Sequence, residues 1–421
     1  MRHQAFPAGI AREDLLTWYR ALRIRTRQLF DIVAPAAYYD RPIALRNPIV
    51  FYEGHLPGFA VNTLVKLALN QNGIDARLET LFARGIDPED ESAVRNPTDL
   101  WPSRDEVQAF AAACDALIEN TLRTATLEDD SVPQLRGGEA VLTIIEHELM
   151  HQETLLYMLH ELPYDKKVGG RQSAVGSSND GIDGSVTIPA GSATLGKSRD
   201  SFGWDNEFPE LIVDVPEFTI DVHNVTNGQY LDYVNAACAA APHFWVRDGG
   251  EWYRRDMFAL TPLPLDAPVY VTHDEAEGYA RWKGKRLPTE AEFHRAAFGT
   301  PSGDERVHPW GDAPPDATRG NFDFAHWDPV AAGAYPAGVS AWGVHDLIGN
   351  GWEWTSTLFG GFPGFTPMSS YPEYSADFFD EAHYVLKGAS PVTPRELVRR
   401  SLRNWFRPNY PYVFAVFRCV S

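Results

Sequence analysis

The hydrophobic pattern of the chain changes near residue 165, and this change limits the folds open to it. Before that point, apolar residues recur at the spacing of an amphipathic helix, as at Leu15, Trp18, Leu22 and Leu29. Further apolar stretches of this kind lie around residues 61–67, 103–117 and 142–156. Four apolar helices of this length predict a four-helix bundle, which we place at residues 1–165.

The segment that follows is polar and rich in Gly and Ser, a composition typical of a linker, and we place the linker at residues 166–185. Beyond it, Trp, Gly, Pro and Asn interrupt short β-like runs such as PVYVT (268–272) and HYVLKG (383–388). Helices are expected after Thr272 and after Thr289. The pattern therefore predicts a second, loop-rich α+β domain at residues 186–421.

Charge and composition restrict the partners of the chain. A formal net charge of −20 would repel a phosphate polyanion, which argues against nucleic acid as a partner. No apolar run approaches the roughly 18–20 residues that a membrane helix needs, and the first residues contain no apolar core of a secretory signal. The three cysteines are far apart in sequence and do not indicate a disulfide framework. We therefore expect a cytoplasmic protein that binds small molecules, without a nucleic acid or membrane partner.

The strongest chemical signal is the string HELMH, which begins at His147 and ends at His151. Histidines four positions apart lie on one face of a helix, so both imidazoles can reach one metal ion. Two ordinary helical histidines are the first alternative. A zinc hydrolase is the second, since the string also matches H-E-x-x-H; however, Thr154 and Tyr157 stand where one extended zinc motif has Gly and His.

A third alternative takes a further ligand from upstream. His55 lies in FYEGHLPGFAVNTL, at the start of an apolar helix, and ligands in helical bundles come from facing helices. Three neutral imidazoles on one side of a metal leave other positions open. Such a site would suit Fe(II) that must accept both a substrate and dioxygen.

The chain resembles the ergothioneine-type sulfoxide synthases along nearly its whole length. The resemblance rests on His55, His147, His151 and the continuation through Glu153 in the first half. In the second half it rests on SFGWDNEFPE (201–210), VTNGQY (225–230), GKRLPTEAEF (284–293), GNGWEWT (349–355), FPGF (362–365) and RNW (403–405). It implies an N-terminal DinB-like four-helix bundle, then a formylglycine-generating-enzyme-like (C-type-lectin-like) domain. It also implies that the three histidines hold Fe(II).

The resemblance further implies an oxidative reaction. Members of the family use dioxygen to join a thiol-bearing substrate to the imidazole carbon between the two nitrogens of hercynine, which is trimethylhistidine. A tyrosine of the second domain supplies a proton or hydrogen atom. Its spacing from FPGF and from Tyr374-Ser375 points to Tyr371 as the catalytic residue, with Tyr374 as the alternative.

Substrate specificity is expected to depend on four further positions. Asn404 and Trp405 match the hercynine users, in which an aromatic face holds the trimethylammonium group. Two positions differ: Met150 replaces a Gln and Phe406 replaces an Asp of the members that use γ-glutamylcysteine. A hercynine pocket with an altered donor pocket is similar to that of selenoneine synthases, which implies C–Se bond formation with a selenosugar. The alternatives are an ergothioneine-type enzyme using cysteine or γ-glutamylcysteine, an ovothiol-type enzyme, and a binding module without turnover.

Overall fold

The fold is described from a computed structural model, in which residues 11–83, 101–169 and 184–421 are described. Most of the expected linker, residues 170–183, lies outside the described residues. The boundaries that we expect between the two domains therefore stay predictions.

The first part of the chain is helical. Its helices are α1 (Arg12–Phe30), α2 (Ile49–Ala60), α3 (Ala76–Leu81), α4 (Arg104–Thr124) and α5 (Glu139–His160). The four long helices pack on one another, α1 against α4 and α5, and α2 against α4 and α5. The expected four-helix bundle is thereby confirmed.

Local signals define several helix ends and faces. Helix α4 begins after Ser103, whose Oγ accepts a hydrogen bond from the Glu106 amide at 3.2 Å, as a helix cap requires. Helix α2 continues as a π-helix from Val61 to Ala68, a form that is often found at functional sites. On that segment Val61, Leu64 and Val65 are buried, whereas Leu67 is 48% exposed and does not join the expected apolar face.

The second part of the chain is built around a four-stranded sheet in the order β10-β9-β8-β11. Its strands are β8 (Gly351–Leu358), β9 (Tyr384–Ala389), β10 (Asn404–Phe406) and β11 (Ala415–Val416). Strands β8, β9 and β10 pair antiparallel, and β11 joins β8 in parallel. In this register Trp405 lies opposite Val385, and Trp352 lies opposite Gly388.

Smaller antiparallel sheets and three helices surround it. The sheets pair β1 (Ser185–Ile188) with β4 (Phe218–Asp221), β2 (Gly191–Leu195) with β3 (Leu211–Val215), and β6 (Glu251–Arg255) with both β5 (Trp245–Asp248) and β7 (Leu260–Pro262). The helices are α6 (Asn227–Ala237), α7 (His273–Trp282) and α8 (Glu290–Phe298). The expected loop-rich α+β architecture is confirmed.

The helices and one expected strand of the second part can be compared with the sequence pattern. The helices expected after Thr272 and Thr289 are α7 and α8, and each threonine caps its helix. Helix α6 was not expected, although Thr226 and Gln229 form a capping box at its start. The run PVYVT forms only an isolated bridge between Pro268 and Thr226. Its valines are buried because they fill the core without lying in a sheet.

The two parts share one interior. A single apolar cluster contains Leu149 and Tyr157 of α5 together with Trp204 and Trp352 of the second part. Helix α5 is almost entirely buried for this reason: one side packs in the bundle and the other against the second domain. Among the described helices, none combines the length and apolarity needed to cross a membrane.

Candidate metal centre

The structure brings the three expected histidines together. His147 and His151 are one turn apart on α5, with ring centroids 4.4 Å apart, and His55 of α2 lies 5.2 Å from each ring. One nitrogen from each ring falls within 4.8 Å of the other two. The sequence separation of 92 residues between His55 and His147 is therefore closed by the packing of α2 on α5.

A backbone contact orients His55. Its Nδ1 lies 2.9 Å from the carbonyl oxygen of Phe82, so Nδ1 carries the proton and Nε2 is the nitrogen that can bind a metal. Phe82 approaches closely because residue 54 is glycine: a Cβ there would stand 2.5 Å from the Phe82 ring. The neighbouring glycine thus allows the contact that selects the His55 tautomer.

The chemical state of the rings suits a divalent metal. Burial lowers the pKa of His55 to about 4. Burial and the neighbouring histidines lower the pKa values of His147 and His151 well below their usual range. All three are therefore neutral near pH 7, which is the ligating form. Nδ1 of His147 and of His151 is buried with no hydrogen-bond partner among the described residues, a costly state for a polar atom. These residues fit a metal centre.

The glutamate of the H-E-x-x-H string faces away from this cluster. Glu148 accepts hydrogen bonds from Arg23 at 2.7 Å and from the Thr26 hydroxyl at 2.5 Å, both on α1. A zinc hydrolase needs this carboxylate as a general base at the metal. Because Glu148 is buried in an ion pair with the bundle, the geometry argues against the hydrolase alternative.

Tyr371 and Tyr374 both lie near the histidines but have different surroundings. The His147 ring stacks on Phe59, with centroids 3.5 Å apart, and the Tyr371 ring lies 5.2 Å from Phe59 and 6.2 Å from His147. The Tyr374 ring stacks on Trp204, and its hydroxyl donates to the Met150 sulfur at 3.2 Å. Burial raises the pKa of Tyr374 well above its usual range. Tyr371 thus has its ring beside a histidine of the cluster, whereas the Tyr374 hydroxyl is engaged with Met150.

Trp405 lies beside this group with one ring face already covered. It stacks on Phe359 at a centroid distance of 4.2 Å and nearly parallel, and it meets Tyr374 edge-on at 5.3 Å. Asn404 uses its side-chain oxygen to accept the amide hydrogen of Trp405 at 2.9 Å. The Phe378 ring also approaches Trp405, with centroids 5.6 Å apart, so three aromatic rings bound the space beside the indole. The Asn404 amide nitrogen is the polar group next to it.

Phe406 faces a different group, because successive residues of a strand point to opposite sides. It stacks on Tyr410 at 5.1 Å and meets Tyr157 of α5 edge-on at 6.3 Å. The guanidinium carbon of Arg46 lies 5.6 Å from the Tyr157 ring centre and 5.7 Å from that of Tyr410. Its positive charge is one of the influences that lower the pKa of His151.

These last neighbours were missed by sequence reasoning. Tyr157 follows His151 by six residues, so the sequence places it on the same helix but does not show which way its side chain points. Arg46 and Tyr410 lie in segments of irregular structure 364 residues apart, yet Arg46 Nε donates to the Tyr410 hydroxyl at 3.2 Å. No local pattern connects two such positions.

Buried polar contacts attach the histidine-bearing segment of α5 to the second domain. Glu146 accepts two hydrogen bonds from Arg399, each 2.8 Å long, and Arg399 also binds Glu207. Glu153 accepts hydrogen bonds from three donors of the second domain. They are Trp352 Nε1 and Ser390 Oγ, both at 2.6 Å, and Thr393 Oγ1 at 2.8 Å. The second domain thus holds α5 on both sides of the His147–His151 pair.

Comparisons with known proteins agree with this architecture. Residues 19–155 match the DinB superfamily, and residues 172–421 match the sulfatase-modifying factor enzyme 1-like domain. Hercynine oxygenase of Mycolicibacterium smegmatis is 34% identical over 97% of this chain and 99% of its own length. The protein of that name from Mycolicibacterium thermoresistibile is 37% identical over 71% of this chain and 72% of its own length.

A fungal protein extends the comparison. Ergothioneine biosynthesis protein 1 of Neurospora crassa is 28% identical over 90% of this chain and 54% of its own length. The bacterial relatives match both halves of the chain in the same order, and their identity exceeds 30%. The chain therefore belongs to the ergothioneine-type family, in which a DinB domain precedes a sulfatase-modifying factor enzyme 1-like domain.

Proposed function

We propose that this chain is an Fe(II)- and dioxygen-dependent oxidoreductase that joins a sulfur or selenium atom to the imidazole of hercynine. The observation that carries the proposal is the group of three buried, neutral imidazoles from His55, His147 and His151, within 4.8 Å of one another. Its occurrence in a chain that matches a hercynine oxygenase over nearly all its length supports the choice of substrate.

The reaction is balanced with dioxygen as the oxidant. The imidazole C–H bond and the S–H bond of a thiol donor, or the Se–H bond of a selenol donor, break, and a C–S or C–Se bond forms. One oxygen atom enters the resulting sulfoxide or selenoxide, and the other leaves as water together with the two hydrogens. Iron bound by the three histidines would supply dioxygen activation and open positions for the substrates.

The chain's own residues would orient the substrates and move a proton. Tyr371, beside His147, would supply the proton or hydrogen atom. Trp405 would hold the trimethylammonium group on the ring face opposite Phe359, and the amide nitrogen of Asn404 would meet the carboxylate or the imidazole. Met150 would shape the pocket and keep the Tyr374 hydroxyl occupied.

For the donor we propose a selenosugar. Phe406, Tyr157 and Tyr410 form a group of aromatic rings next to the metal-bearing helix, and a sugar ring can stack on such a surface. A charged peptide would leave polar groups unpaired on these rings, at a cost of about 1–3 kcal/mol for each. One observation favours a second candidate: the Arg46 guanidinium in this group suits the carboxylate of cysteine or γ-glutamylcysteine.

A donor competition tests both levels of the proposal. The protein would be loaded anaerobically with Fe(II) and mixed with hercynine and equal amounts of selenosugar, cysteine and γ-glutamylcysteine. Oxygen would then be admitted and the products read by mass spectrometry. We expect the C–Se product to form first. A thiol product that forms about tenfold faster, equivalent to roughly 1.4 kcal/mol in barrier, would replace the selenosugar assignment.

Two matched results would overturn the iron chemistry itself. Coupling that proceeds equally without oxygen would contradict an oxidative reaction. Activity with zinc but not with iron would restore the hydrolase alternative.

Each of the changes His55→Ala, His147→Ala and His151→Ala should abolish both turnover and tight iron binding, because two imidazoles hold Fe(II) weakly. Full iron content in any one variant would remove that residue from the ligand set.

A further inference from the structure

Tyr371 lies in a long loop, outside any helix or strand, so side-chain and backbone contacts must fix its position. The segment joins β8, which ends at Leu358, to β9, which begins at Tyr384. A tyrosine that delivers a proton must be held within a fraction of an ångström of its working position. The residue just before it, Ser370, makes the contacts that fulfil this requirement.

Ser370 binds directly to the helix that carries two of the histidines. Its hydroxyl lies 2.9 Å from the Thr143 hydroxyl, and its backbone amide donates to Glu139 Oε1 at 2.7 Å. Thr143 is fully buried and Ser370 is 3% exposed. The contact joins residues 227 positions apart and lies entirely across the interface between the domains.

The residues that Ser370 contacts lie on the same face of α5 as the two histidines. Glu139, Thr143, His147 and His151 follow one another at intervals of four residues, so they form one stripe along one face of the helix. The irregular segment runs beside this stripe. Ser370 contacts the first two members, and Tyr371 lies next to the third, with its ring 6.2 Å from that of His147.

The far side of the segment is held by the second domain. Asp205 accepts a hydrogen bond from the Ser375 hydroxyl. Within the segment, the Tyr374 amide donates to the Tyr371 carbonyl at 3.1 Å and closes a turn. Asp205 therefore anchors the segment to its own domain, whereas Ser370, together with the Tyr374 hydroxyl on Met150, attaches it to α5.

We propose that Thr143 and Ser370, together with Glu139, are positioning residues that set Tyr371 against His147. This inference rests on the proposed role of Tyr371. The simpler alternative is that two buried hydroxyls only satisfy each other. That alternative predicts a loss of stability when one is removed, but no change in the use of oxygen. Positioning predicts a change in the use of oxygen, because a displaced tyrosine leaves the oxidant to attack the donor without coupling.

The experiment removes one hydroxyl at nearly constant shape. Thr143→Val should lower the amount of coupled product per dioxygen consumed by about tenfold, since a displacement of about 1 Å can reduce a rate by about a hundredfold. The Kd of hercynine should stay within twofold of the wild-type value. Thr143→Ser retains the hydroxyl and should restore the ratio. The control for the chemical change itself is Thr187→Val, which breaks an exposed hydroxyl pair with Thr219 in the second domain, while the hydroxyl-retaining Thr143→Ser is the control at the buried position.

A second measurement uses the metal-free protein and needs no turnover. With 3-fluorotyrosine incorporated, the ¹⁹F resonance of Tyr371 is identified by its disappearance in Tyr371→Phe. It should move in Thr143→Val and keep its position in Thr143→Ser and Thr187→Val. An unchanged product-to-oxygen ratio in Thr143→Val, or an unmoved resonance, overturns the positioning role. If the wild-type protein couples no donor, the proposed function fails, and the resonance alone then decides the positioning role.

Discussion

The Arg399 ion pairs offer the sharpest test of how the second domain holds α5, the helix that carries His147 and His151. Arg399 binds Glu146, the residue before His147, at 2.8 Å through each of two nitrogens, and it binds Glu207 at 2.8 and 2.5 Å. Both carboxylates are buried, with side chains 6% and 0% exposed. The change Arg399→Met keeps much of the side-chain volume and leaves two buried carboxylates without their cation.

The size of the effect follows from the pKa of Glu207. Burial alone would raise this pKa, but Arg399, with smaller help from the Ser401 hydroxyl and the Trp204 amide, outweighs burial and holds it at about 2. A return to the ordinary value of 4.5 would by itself remove about 3 kcal/mol at neutral pH, since one pKa unit is about 1.4 kcal/mol, and burial without the cation raises the pKa further. This agrees with the roughly 3–5 kcal/mol expected for removing one partner of a buried pair. Glu146 adds to the loss. Burial raises its pKa even with Arg399 in place, so without Arg399 its ionised form is stabilised still less.

The sign of the pH dependence provides an independent check. In the wild type, the lowered pKa of Glu207 contributes stability that is present above about pH 4.5 and disappears as the pH falls through about 2. In Arg399→Met the buried carboxylates have raised pKa values. The variant is therefore least stable at high pH, where both are ionised, and gains stability as the pH falls and they take up protons. The difference between wild type and variant should therefore be larger at pH 8 than at pH 5.

The assay is urea unfolding followed by tryptophan fluorescence at both pH values, with bound iron measured in parallel. Arg281→Met is the control, because Arg281 is 69% exposed in its pair with Glu277, and such pairs contribute less than about 1 kcal/mol. A loss below about 1 kcal/mol in Arg399→Met, or an equal loss at pH 5 and pH 8, would refute the reasoning. If the stability of Arg399→Met falls as expected but its iron binding is unchanged, the Arg399 ion pairs do not affect the metal centre.

Three further predictions concern the site and its surroundings. Tyr371→Phe should keep its iron and its fold but form much less coupled product per oxygen, measured by mass spectrometry and an oxygen electrode; normal coupling there, with loss in Tyr374→Phe, would transfer the role to Tyr374. Trp405→Ala should weaken hercynine by up to about thirtyfold, because a cation on an indole contributes about 0.5–2 kcal/mol. It should weaken histidine far less by titration calorimetry, and equal losses would mean that Trp405 only fills space. Burial raises the pKa of Asp205 to about 6, so this carboxyl contributes stability below about pH 4 that is lost as the pH rises through 6. Urea unfolding of Asp205→Asn should lack that change between pH 4 and pH 7.5, and an identical pH profile would contradict the raised pKa.

Patterns within one element were readable from the sequence because they depend only on neighbouring residues. Apolar spacing predicted the long helices, and threonine caps predicted α7 and α8. The pair His147 and His151 could be placed on one helix face by the same reasoning. The run PVYVT shows the limit of such patterns: its valines are buried and their amides bond to Val225 and Ala415, but the run forms an isolated bridge and no strand.

What the sequence by itself determined is therefore the bundle, the loop-rich second domain and the i,i+4 histidine pair, since each depends on short-range periodicity. Resemblance of ordered motifs, and not local chemistry, added His55 and Tyr371 to the candidate site. Only the tertiary structure decided that Glu148 turns to Arg23, that Phe359 covers one face of Trp405, and that Ser370 joins Thr143. These contacts connect residues up to 227 positions apart, and their directions depend on how two complete domains pack, which no local pattern encodes.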